Sequence, residues 1–81
     1  MTKKEFVAEV VSSAEKHRKK YPCLRKGQAI FNYVDENYGP VARQVQFEDG
    51  IDCFYDDSRI NAFLDACFKR IDLIFNFKPN E

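Results

Sequence analysis

Apolar residues recur at three- and four-residue intervals from the start of the chain. Phe6, Val7, Val10, Val11, Ala14 and later Tyr21 fall on one side of a helix, with Glu9, Ser12, Glu15, Lys16 and Lys19 on the other. Thr2 and Glu5 have the spacing of a capping box, in which each side chain satisfies the other residue's free backbone N–H. The pattern predicts a helix over residues 3–20, stopping before Pro22, whose ring restricts Tyr21. A second stripe (Leu24, Gly27, Ile30, Phe31, Val34, Tyr38) predicts a helix over residues 23–37, with Gly39 as a left-handed C-terminal cap. Gly27 inside that stripe costs about 1 kcal/mol relative to alanine, so its presence predicts the close approach of another backbone.

Pro40 suits the first turn of a short third helix over residues 41–46, with Val41, Ala42, Val45 and Phe47 inward. Glu48, Asp49 and Gly50 read as a turn. A final helix is expected over residues 59–76, capped by Asp57 or Ser58, with Ile60, Phe63, Leu64, Cys67, Phe68 and Ile71 on its apolar side. The expected fold is therefore all-α. It is a compact three-to-four-helix domain over residues 1–78, with a structured acidic-aromatic connector before the last helix and a frayed tail at 79–81.

An 81-residue chain can form one domain, and eight Phe and four Tyr supply much buried area per residue. No apolar stretch is long enough to span a bilayer, and no leading apolar segment with a cleavage site is visible. Three cysteines, none of them in a close pair, fit a reduced cytoplasmic protein better than a disulfide scaffold. Net charge is zero but unevenly spread: +5 over residues 1–26, −6 over 27–67 and +1 over 68–81. Such segregation suits either a polyanion-binding end or association through opposite charges.

Four constellations could carry chemistry. Asp49, Asp52, Asp56 and Asp57 are hard oxygen ligands, yet their spacing departs from a calcium loop, and Asp56 and Asp57 suit the start of a helix. Arg18, Lys19, Lys20, Arg25 and Lys26 are candidate phosphate contacts, set against the ordinary preference for cations in a last helical turn. His17, Cys23, Cys53 and Cys67 lack the paired spacing of a zinc site, and Cys67 falls on an apolar stripe. These residues assemble no catalytic set, so no enzyme activity, metal or cofactor is expected. The aromatics exceed what so small a core must hide, which makes Phe54, Tyr55, Ile74, Phe75 and Phe77 a candidate interaction surface.

Leu24, Arg25, Lys26, Gly27 and Gln28, then Phe31 and Asn32, then Asp52 through Tyr55 and Ile60 with Phe63 form a further pattern. It resembles one in small uncharacterised open reading frames of bacteria and their phages, roughly R-x-G-Q-x-x-x-N followed by D-x-F-Y. The resemblance covers about residues 24–64 and implies a compact accessory protein carried on mobile DNA. Spacing adds a structural expectation: Arg25, Gln28 and Asn32 share a helix face and could bond the connector backbone, or Arg25 could pair with Asp52. The functional expectation is a non-enzymatic, self-associating protein-interaction module, an accessory or inhibitor protein of a mobile element. Its alternative is a nucleic-acid-binding protein using the basic end of the first helix.

Overall fold

The computed structural model describes residues 2–75, apart from the side chains of Ile74 and Phe75. Four α-helices follow in order: α1 (Lys3–Lys20), α2 (Lys26–Asn37), α3 (Val41–Glu48) and α4 (Ile60–Phe75). A single 3-10 turn, Asp57–Arg59, leads into α4, and there is no strand among the described residues. The all-α architecture is thus as the periodicity dictates. The end of the last helix at residue 76 and the tail at 79–81 lie outside the described residues.

α1 begins where its local signals place it. Glu5 N–H donates to Thr2 Oγ1 at 3.2 Å and Thr2 N–H donates to Glu5 Oε1 at 2.7 Å. Phe6, Val10 and Ala14 of this helix are buried against Ile30, Phe31 and Val34 of α2. Glu9 joins the two helices from the rim of the core, because its Oε2 accepts both the Tyr33 hydroxyl at 2.7 Å and the Tyr38 hydroxyl at 2.8 Å.

α2 starts three residues later than its apolar stripe suggests. Pro22 is followed by a turn closed by Leu24 N–H on the Tyr21 carbonyl (3.0 Å), and Arg18 Nε donates to the Leu24 carbonyl at 3.2 Å. Arg25 stays extended and becomes the N-cap residue, with its own N–H donating to Gln28 Oε1 at 3.1 Å. The helix closes at Gly39, whose φ of +64° is the left-handed conformation expected there.

α3 runs two residues beyond its expected end. Arg70 of α4 holds its last turn with a forked contact to Asp49 (3.1 and 2.7 Å) and a weaker one to Glu48 (3.4 Å). Phe47 does not point inward as expected. Val41, Ala42 and Val45 face the core, and a residue two positions beyond Val45 is turned by roughly 200°, so Phe47 projects into solvent with 78% of its surface exposed. The core closes with Phe63, Leu64, Cys67 and Ile71 of α4 and with Cys53 of the connector. None of the helices of the described residues is long and apolar enough to cross a membrane.

Candidate interaction surface

The connector between α3 and α4 is an ordered clasp on the start of α2. Gly50 turns the chain at φ +68°, and Asp52 Oδ1 accepts Phe54 N–H at 2.8 Å, which folds residues 52–54 into a tight turn. That turn drives the Cys53 side chain into the core, where its thiol donates to the Gly27 carbonyl at 3.4 Å. The Cys53 carbonyl oxygen then lies where a side chain at Gly27 would have to stand. Gly27 is therefore the close-approach residue that its place in an apolar stripe suggests.

Two more bonds finish the clasp. Gly27 N–H, one of the free donors at the start of α2, donates to Asp57 Oδ1 at 2.9 Å. Arg25 Nη2 donates to the Phe54 carbonyl at 2.8 Å. Thirty residues apart in the chain, Gly27 and Asp57 make one helix cap. Asp57 thus serves α2, and the role expected of it at α4 falls to Asp56, which accepts the Ser58 N–H at 3.0 Å and its hydroxyl at 2.6 Å.

The structure sorts the expected polar anchor. Arg25 bonds the connector backbone instead of pairing with Asp52, which is turned toward Phe54 N–H. Gln28 caps its own helix, and Asn32 lines a cleft between α1 and α2 alongside His17 and Lys20. The acidic cluster is similarly divided: Asp49 goes to Arg70, Asp52 to Phe54, Asp56 to Ser58 and Asp57 to Gly27. Hydrogen bonds from Ser58 hold the Asp56 carboxyl below its usual range, and Arg70 does the same for Asp49. Among the described residues, no three His, Cys, Asp or Glu side chains converge on a position that would hold a metal ion.

Burial sets the character of the thiols. It pushes Cys53 up to about 12, with the Asp52 charge adding to the effect, and it raises Cys67 as well. Both behave as small apolar residues, while Cys23 is exposed. Among the candidate phosphate contacts, Arg18 and Lys19 share one shallow concavity. Arg18 and Arg25 donate to backbone carbonyls, Lys26 is half-buried, and Lys19 and Lys20 line different concavities because successive helical positions diverge by roughly 100°.

The aromatic part of the connector divides in two. Phe54 is half-buried, edge-on to Phe31 with ring centroids 5.5 Å apart. Tyr55 packs against Phe54 at 4.9 Å, yet 71% of its surface is exposed. Leu73 on α4 is also exposed, at 72%. The side chains of Ile74, Phe75 and Phe77, expected in this surface, lie outside the described residues. Sequence reasoning missed Phe47 and Leu73 as surface residues, and Tyr21, expected on the apolar side of α1, is exposed as well. For Leu73 a signal existed: it lies off the face defined by Phe63, Cys67 and Ile71. Compared with protein-family models, curated proteins and solved structures, the chain matches none.

Proposed function

We propose that this chain is a non-enzymatic protein-interaction module that associates with copies of itself. One observation carries the reading: Phe47, Tyr55 and Leu73 are each more than two-thirds exposed, on elements held in place by the clasp and by Arg70. Burying a side chain of this size stabilises by about 1.5–3 kcal/mol, which a contact with a second surface would recover. Aromatic and large aliphatic groups on rigid supports are what the centre of an interface uses. The resemblance over residues 24–64 supplies the setting, an accessory or inhibitor protein of a mobile element.

Size-exclusion chromatography with light scattering, from micromolar to millimolar protein, tests the reading. A mass that rises with concentration supports it. The monomer mass at every concentration, together with a salt-sensitive shift of a nucleic-acid probe, would replace it with binding through the basic end of α1.

A further inference from the structure

The inward side of α4 is set by Phe63, Leu64, Cys67 and Ile71. At about 100° per residue, Ala62, Ala66, Lys69 and Leu73 fall within roughly 60° of one another, with Ala62, Lys69 and Leu73 exposed and Ala66 half-buried at the edge of the core. Their four-three-four spacing is that of a seam between two helices. With Ile51 of the connector they line a shallow groove of about 530 Å³.

This face is complementary to itself. When the α4 of a second copy is laid antiparallel across the seam, Ala62 falls opposite Leu73 of the second copy, and Leu73 opposite its Ala62. The largest side chain at one end meets the smallest at the other. Ala66 falls opposite Lys69, whose aliphatic stem can lie over the alanine while its ammonium reaches water. An antiparallel two-fold brings like flanks together, and Asp65 and Lys69 lie toward the same flank. Asp65 of each copy therefore comes beside Lys69 of the other. Within one copy, Asp65 already pairs with Lys69 at 3.3 Å and with Lys3. The contact joins two such groups into one cluster of alternating sign, and on the opposite flank Arg70 is already neutralised by Asp49.

We propose that this outer face of α4, Ala62 to Leu73, is the homodimer contact, with a second copy of the chain as its occupant in an antiparallel two-fold arrangement. The proposal rests on the self-association reading and adds its location and register. A two-fold contact of this kind closes on itself, giving dimers and no filaments.

Sedimentation equilibrium of five proteins tests it: wild type, Leu73→Asp, Tyr55→Ser, Lys69→Glu, and Asp65→Lys combined with Lys69→Glu. Leu73 and Tyr55 are mostly exposed, so their variants should keep the fold, checked by thermal melting. The expected result is a wild-type dimer whose dissociation constant rises at least tenfold in Leu73→Asp and changes less than twofold in Tyr55→Ser. Lys69→Glu should weaken the dimer, and Asp65→Lys with Lys69→Glu should recover it. A dimer indifferent to Leu73→Asp overturns the α4 contact while self-association stands. Failure of the charge exchange to recover the dimer overturns the antiparallel register. A wild type that stays monomeric removes the self-association reading itself.

Discussion

Gly27→Ala should destabilise this protein, although helix propensity alone says the opposite. Gly27 lies in the first turn of α2 with an ordinary helical φ, and alanine in a helix is favoured over glycine by up to about 1 kcal/mol. The methyl group would, however, coincide with the Cys53 carbonyl oxygen, a backbone atom with no rotamer by which to retreat. It would also come within 2.8 Å of Asp57 Oδ1. Relieving overpacking of this kind costs about 1–3 kcal/mol, and moving the connector outward also loses the cap from Asp57, about 1 kcal/mol more. The opposing contributions leave a net loss of about 1–3 kcal/mol. For a domain of this size, each kcal/mol shifts the melting temperature by about 4–8 °C, so a drop of about 4–24 °C is expected. Thermal melts followed by circular dichroism measure it, with urea unfolding as a check on the slope. A Gly27→Ala protein that melts at or above the wild-type temperature would refute the close approach and, with it, the clasp.

Other outcomes follow from the same geometry. Glu5, Asp49, Asp56 and Asp65 are all held below the usual carboxylate range by hydrogen bonds and nearby cations. Their contribution is present above the unfolded carboxylate pKa, roughly 4, and lost as pH falls through the lower folded values. From these carboxylates the melting temperature should decline below about pH 5, whereas a flat profile to strong acid would contradict these pairings. Tyr33 is raised by its bond to Glu9, and Tyr38 by burial and the same carboxylate. Stability from this pair is complete below about pH 10 and decays as pH rises beyond it, which alkaline melts would detect. A thiol reagent should label Cys23 quickly and reach Cys53 and Cys67 only after denaturation, and three fast thiols would argue against the buried positions of the last two. Tyr55→Ser should leave the melting temperature within a degree or two, because its ring touches little besides Phe54.

Signals made within a few residues were legible in the chain. The start of α1 follows from Thr2 and Glu5, its stop from Pro22, and the end of α2 from Gly39. Gly27 betrayed a tertiary contact because a glycine has no local reason to sit in an apolar stripe. What stayed hidden depends on residues far apart. Where α2 begins is decided partly by Asp57, which no spacing rule connects to Gly27. Phe54 and Tyr55 read alike, and only the turn closed by Asp52 determines which ring meets Phe31 and which meets water. That Arg18 and Arg25 each donate to a backbone carbonyl at a bend in the chain is likewise invisible in their composition. Phe47, expected inward with Val41, Ala42 and Val45, lies one residue past the expected end of α3, and because the helix continues through it the turn carries its side chain outward.

The proposed self-association would leave a residue-level trace on the outer face of α4. A dilution series of amide spectra by nuclear magnetic resonance tests it most directly, residue by residue. Concentration-dependent shifts are expected at Ala62, Ala66, Lys69 and Leu73, with the α1–α2 interface around Glu9 and Tyr33 unmoved. Spectra that superimpose from micromolar to millimolar protein would contradict it.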